Sequence, residues 1–232
     1  MSFLRTVFLI LLIGVLGVII IGSESMTHLV ISKYQLGWMV GLLLPKVLLL
    51  LASLALLIVC WPSLKKLENL KWVPSFLIIG LPIGLYLLVN VPYVNDWTKT
   101  GTELVGEGSN SIEVFLQETQ PEFEGLICFA LPGCEYCDLA VSKLELLHHR
   151  NPNLDVLVFV FTKDSAVVNS YKNQSVGSSL TYLPVPNPNE SIQLNNGNFP
   201  SFFYFKNGKL RYRWFSGEFG YPAFDWVESR LQ

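Results

Sequence analysis

Thr6 to Ser23 and Trp72 to Asn95 hold no charged residue, and Tyr34 to Leu64 holds only Lys46. Each stretch can supply the roughly 20 apolar residues that cross the hydrocarbon core of a bilayer. The sequence therefore predicts an all-α membrane region over 1–95, with three transmembrane helices at about 4–22, 37–61 and 72–93. Trp38, Trp61, Trp72, Tyr93 and Trp97 fall near the ends of these spans, where rings with one apolar and one polar edge favour the headgroup layer. The chain of 232 residues is 51% hydrophobic and 15% charged, and the apolar excess lies in this region. A cleaved signal peptide is the alternative for the first span, because Arg5 precedes its apolar core. "IIIGSESM" offers no convincing small-x-small cleavage pattern and two further spans follow, so a retained helix is expected.

Orientation follows from the short loops. "PSLKKLENLK" sets Lys65, Lys66 and Lys71 against Glu68, and Arg5 flanks the first span, which assigns both to the cytoplasmic side. Three crossings then place the N-terminus inside and the C-terminal region outside. Residues 1–95 hold six Lys/Arg and two Asp/Glu, a net charge of +4; residues 96–232 hold ten and sixteen, a net charge of −6. An acidic exported domain has no electrostatic footprint for nucleic acid, so the expected contacts are the lipid bilayer and other proteins. Residues 96–111, "DWTKTGTELVGEGSNS", read as a linker, and 112–232 is long enough for one core of its own.

Within that domain "LICFAL" (126–131) is an apolar run of strand length, "PGC" turns the chain, and a helical pattern runs from Glu135 to His148, His149 and Arg150. "LDVLVFVF" (154–161) has the continuous apolar character of a strand buried on both faces, so strand, helix and strand imply a parallel pair. "PSFFYFKNGKLRYRWF" gives two more strand-like runs joined by Asn207-Gly208, a strong hairpin signal. Pro222 to Leu231 reads as a closing helix. Cys134 thereby falls at the first turn of a helix and Cys137 one turn later. Unpaired amides and the positive helix end favour an anion there, so the Cys134 thiol should ionise below the ~8.5 of a free cysteine. Its thiolate can attack a disulfide, and Cys137 is placed to resolve the mixed disulfide.

"GCEYCDLAVSKLELL" followed by "NFPSFFYFKNGKLRYRW" resembles the thioredoxin superfamily, over the part of the sequence that follows the membrane region. The resemblance implies an α/β, thioredoxin-like fold, a central mixed sheet flanked by helices. It implies that Pro200 follows a cis peptide bond and lies against the cysteine pair, and that Phe199 presents backbone groups to an extended partner. Cys134 and Pro200 stand 66 positions apart, and the intervening residues include a helix (Ser165 to Lys172) and a strand (Leu180 to Val185). That layout resembles the membrane-anchored, TlpA-like thioredoxins of bacteria, which implies an inner-membrane protein with a periplasmic domain, and the apolar spans make the expected protein multi-pass. Three spans depart from the usual single anchor.

Two departures bear on mechanism. Many thioredoxins carry tryptophan before the first cysteine, where this sequence has Gly133, and many carry a buried acid six residues before it, where this sequence has Cys128. Proton transfer at Cys137 would then fall to Glu135, Asp138 or water. Cys128 reads as a small buried hydrophobe, with a third redox thiol as the alternative. Zinc at the pair would need two further ligands, and the remaining cysteines are Cys60 in a span and Cys128 on a strand, so no metal is expected. A structural disulfide is another reading of the pair. His148-His149 suits a helix C-terminus, and Lys46 either snorkels or marks an intramembrane site. The expected function is a thiol:disulfide oxidoreductase acting on partner proteins with thiols or disulfides, as a reductant in preference to the alternative of an oxidant, with no cofactor beyond the Cys134–Cys137 pair. A lone Cys60 cannot relay electrons through the bilayer, so a separate membrane or soluble redox carrier is expected. The competing class is a non-catalytic binding or assembly module of a membrane complex.

Overall fold

The computed structural model describes residues 3–64, 101–104, 111–174 and 179–231. The expected third span at 72–93, the loop lysines 65, 66 and 71, and much of 96–111 lie outside the described residues. The protein divides into two compact units, Met1–Val94 and Asn95–Gln232.

In the first unit, helix α1 covers Phe3–Ser32 and α2 covers Trp38–Leu64. Apolar stretches long enough to cross a membrane run over Ile10–Ser32 in the first and Trp38–Leu56 in the second. Helix α1 continues well beyond the expected end at 22. No proline interrupts that extension, and its hydroxyls bond back into the helix instead of capping it: Ser23 Oγ donates to Ile20 O at 3.2 Å and Thr27 Oγ1 to Ser23 O at 3.0 Å. Gly41 lets the two helices meet closely, since an added Cβ there would stand 2.5 Å from Ile31 Cγ1. Leu16, Ile19 and Leu49 form the seam, while Ile10, Val18, Ile21, Leu50 and Ile58 point outward and keep the outer surface apolar. Lys46 is buried.

The second unit is a mixed sheet of six strands flanked by helices. Its elements are β1 (Thr102–Glu103), α3 (Ser111–Thr119), β2 (Gly125–Ala130), α4 (Glu135–Arg150), β3 (Asp155–Val160), α5 (Ser165–Gln174), β4 (Thr181–Pro184), α6 (Pro188–Asn195), β5 (Ser201–Lys206), β6 (Lys209–Phe215) and α7 (Tyr221–Arg230). The strand order is β1-β6-β5-β2-β3-β4. Strand β2 runs parallel to β3, and β3 to β4, whereas β5 is antiparallel to both β2 and β6. All six residues of β2 are buried, as a central strand covered on both faces requires. Asn207 and Gly208 have φ of 53° and 67°, so the β5–β6 connection is the two-residue turn whose twist matches its strands.

The segment expected as a linker contributes structure of its own. Thr102 and Glu103 pair with Arg213 and Tyr212 as an edge strand, and Ser111 opens α3. Gly101 rests on the Trp214 indole, where a Cβ would collide with the ring, so a glycine in this stretch gives the backbone its close approach.

Alternation along the strands divides the core. Ile127, Phe129, Leu157, Phe159, Phe203 and Phe205 face one side, where Ile112 and Leu116 of α3 close over them. Ring pairs Phe129–Phe203 at 4.8 Å and Phe115–Phe159 at 5.7 Å tie helix and strands together. The opposite face presents Cys128, Phe202 and Tyr204 and is covered by α4, α5 and α7; Tyr204 meets Trp226 of α7 at 5.5 Å. This mixed sheet with helices on its faces fits the thioredoxin-like fold.

Candidate functional site

Strand β2 delivers the backbone to one end of the sheet, and Leu131–Gly133 reverse it into α4. Gly133 adopts φ +78°, and the Cys134 N–H returns to Leu131 O at 3.2 Å. The sequence pattern places Cys134 in the first helical turn; in the structure it is the N-cap, one residue earlier, with extended backbone. Its sulfur takes the place that Ser or Asp oxygens take at other helices, accepting from the Cys137 N–H at 3.2 Å. That contact and the positive end of α4 stabilise an anionic sulfur at this position.

Cys134 and Cys137 are joined as a disulfide with Cα atoms 5.2 Å apart. Their surroundings differ. Cys134 is half-buried, while Cys137 is 0% exposed and its Sγ accepts from Leu131 N–H at 3.5 Å. One sulfur can meet a macromolecular partner and the other can be reached only from Cys134. Glu135, Tyr136, Asp138 and Leu139 are exposed around the opening. Cys128 lies on the α4 side of β2, fully buried, and burial pushes its thiol far above the ordinary range.

The Phe199–Pro200 bond is cis. Because Ser201 pairs with Phe129, Pro200 arrives at the same end of β2 from which the backbone departs towards Cys134. Pro200 is buried; Phe199 is half-buried and meets the Phe161 ring edge-on at 5.0 Å, while Phe161 N–H bonds Ala130 O at 2.9 Å. The fold thus gathers Cys134, Cys137, Phe199 and Pro200 at one sheet end, with Glu135 and Asp138 on the outer surface of the first turns of α4. His148 and His149 lie at the far end of that helix, where His148 Nδ1 pairs with Leu154 O at 2.8 Å.

One neighbour of the site is not visible in the sequence. Tyr171 of α5 is buried, with its ring 6.1 Å from that of Tyr182 on β4. Spacing from Val168 marks Tyr171 as a core position, but only the packing of α5 on β4 reveals its ring contact with Tyr182.

No protein-family model matches the sequence, and no curated protein matches it. Among solved structures it is similar to a secreted Mycobacterium tuberculosis disulfide oxidoreductase, described as homologous to E. coli DsbE. The two are 14% identical, and the match covers 49% of this chain and 84% of that one with a TM-score of 0.38. The strand order and registers of this protein carry its fold assignment by themselves.

Proposed function

We propose that this protein is a membrane-anchored thiol:disulfide oxidoreductase that exchanges disulfides with extracytoplasmic partner proteins and serves as a reductant. The observation that carries the reading is the asymmetric pair: a half-exposed Cys134 at the N-cap of α4, bonded to a fully buried Cys137. In the dithiol form, Cys134 thiolate attacks a partner disulfide, forming a mixed disulfide and releasing one partner thiolate. Cys137 then loses its proton and attacks Cys134 Sγ. The internal disulfide forms, the bond to the partner breaks, and the second partner sulfur leaves as a thiolate. Two electrons have moved to the partner and two protons accompany them.

Phe199 and Pro200 frame the approach of an extended partner segment, which can add to the sheet end by main-chain hydrogen bonding. After each turnover a separate carrier must return two electrons, because Cys60 is the sole cysteine of residues 1–95 and a relay through the bilayer takes a pair. Helices α1 and α2, with the expected third span at 72–93, supply the anchor; three crossings and the loop charges together favour a cytoplasmic N-terminus and an exported sheet.

Cys137→Ser in cells should accumulate covalent complexes with partners that reducing agent dissolves, and Cys134→Ser should abolish both these complexes and turnover. Partner complexes that persist in Cys134→Ser, with no covalent species in either variant, would mark an assembly module instead. Direction is set by the potential of the pair: a reductant requires about −270 mV or lower, and a value near about −120 mV would make it an oxidant.

A further inference from the structure

Exposed apolar side chains are ordinary when scattered and informative when gathered around a reactive atom. Among the described residues of the second unit, five large apolar side chains are exposed: Val114, Leu131, Tyr136, Leu139 and Ile192. Three of them, at 39%, 64% and 44% exposure, stand close to Cys134: Leu131 in the turn before it, Tyr136 and Leu139 on α4 after it. Cys137, Val141 and Leu144 take the buried face of α4. With about 3.6 residues per turn, Glu135, Asp138 and Leu139 fall on the opposite face, and Tyr136 stands one turn from Leu139 along its flank. All four are exposed. Gly133 has open space where a side chain would stand, so nothing covers Cys134 from the turn side.

The charge at this end of the sheet is negative. Lys163 and Asp164, which follow β3, offset each other, and Lys143, the next basic residue of α4, lies over the Tyr221 ring at 4.8 Å. His148, His149 and Arg150 belong to the last turn of the helix. Glu135 and Asp138 therefore set the sign beside the disulfide, joined to an apolar pair on one ridge.

We infer that this ridge selects the partner, and that its occupant is a polypeptide segment carrying a large apolar side chain and a Lys or Arg next to its disulfide cysteine; the inference rests on the redox reading above. Apolar area beside Cys134 leaves water only when a partner covers it, and a tyrosine ring is a favoured anchor in such contacts. The flanking carboxylates draw cationic partners into encounter and turn anionic ones away. Anionic lipid is disfavoured on the same ground, and a second copy would set Glu135 and Asp138 against their own like charges. Glutathione disulfide, anionic and without a large apolar group, is a poor fit. The covalent step is unchanged: Cys134 Sγ bonds one partner sulfur, and the other leaves as a thiolate and takes a proton from water.

The test uses the reduced full-length protein in non-ionic detergent and four mixed disulfides of a short linear peptide with mercaptoethanol. The peptides place Leu or Ser on one side of the cysteine and Lys or Glu on the other. Each rate is divided by that of the same peptide with a free thiol, so that intrinsic reactivity cancels. The Leu/Lys peptide should react about tenfold faster than the Ser/Glu peptide. In ~1 M salt, where the screening length is about 3 Å, the preference for Lys over Glu should vanish and that for Leu over Ser should remain. Tyr136→Ser and Leu139→Ser should each lower the Leu-over-Ser ratio severalfold and keep the Lys-over-Glu ratio, and Glu135→Gln combined with Asp138→Asn should do the reverse. Every ratio is taken within one protein, so a variant that folds poorly still reports its preference. Equal rates for the four peptides, a preference for Ser or Glu, or ratios unmoved in the variants would each overturn the inference. A changed oligomeric state in Tyr136→Ser with unmoved ratios would overturn it in favour of a second copy on the ridge. A parent protein that reduces none of the four peptides, where the free thiol reduces all, would instead overturn the redox reading.

Discussion

Cys128 points from the middle of β2 into the face that α4, α5 and α7 close, and its thiol is held protonated by burial alone. Cys134, six residues on, sits where a helix end and a backbone N–H favour the opposite state. The sign of the resulting pH effect is fixed. The Cys128 pKa is raised on folding, so its contribution to stability is intact below the unfolded value of ~8.5 and is lost as pH climbs above it, at about 1.4 kcal/mol per pH unit. Tyr204, raised by burial and by its hydrogen bond to Glu124, adds a second decline beginning near ~10. The urea midpoint of the oxidised protein, read from near-UV ellipticity, should be level from about pH 6 to 8 and fall beyond. Cys128→Ala should delay the fall by about one pH unit or more, and an unchanged onset in that variant would refute the assignment. Gly133 adds a different residue-scale constraint. At φ +78° with open space beside it, its hydrogen is required by the backbone and not by crowding, so Gly133→Ala should lower stability by about 1 kcal/mol in the same assay.

Elements meet at a clamp between α4 and α7. Arg150 grips Glu228 through Nε to Oε1 at 2.8 Å and an Nη to Oε2 at 2.9 Å, and Asn151 Nδ2 donates to the same Oε1 at 2.8 Å. With side chains only 9% and 14% exposed, neither partner can be rehydrated if the other is removed. Glu228→Ala should therefore cost about 3 kcal/mol, measured as a shift in urea midpoint, and an effect below about 1 kcal/mol would show the pair to be solvated after all. Nothing in the sequence announces this pair, 78 positions apart. What the sequence does announce is local: the 154–161 apolar run forms β3, the Asn207-Gly208 turn forms the hairpin, and the 165–172 and 222–231 patterns form α5 and α7. Helix α3 is hidden because its buried face carries few residues and its Glu113 turns inward to accept the Leu210 N–H at 2.8 Å. Helix α6 is hidden by polar composition; an Asn187 cap, Pro188 and a left-handed Asn196 delimit it instead. Strand β1 is two residues of a loop-like stretch, recruited by pairing and by the contact of Gly101 with Trp214. The cysteine turn is legible because its chemistry is contiguous, whereas Tyr171 and Tyr182 meet only through tertiary packing.

At the scale of the whole molecule, charge and crossing number decide which compartment the cysteines meet. In the orientation proposed above, the net charges of +4 over residues 1–95 and of −6 over 96–232 accord with the rule that keeps lysine-rich loops inside. Arg5, Lys65, Lys66 and Lys71 carry the bias, and in the sequence each flanks an expected span, where that bias operates. The exported location proposed above suits the chemistry, because disulfides persist outside the cytoplasm and not within it. In membrane vesicles from cells making the Cys60→Ser variant, treated with mild reductant, an impermeant maleimide should modify Cys134 in right-side-out vesicles and leave it untouched in inverted ones. Cys128, fully buried, should react in neither until the fold is opened with denaturant. Replacing Lys65, Lys66 and Lys71 by glutamine removes most of the inside charge and should produce a mixed population, labelled from both sides. Labelling of Cys134 only in inverted vesicles would place the pair in the reducing cytosol, where an internal disulfide is opened by the glutathione pool, and the proposed exchange with exported partners would lose its compartment.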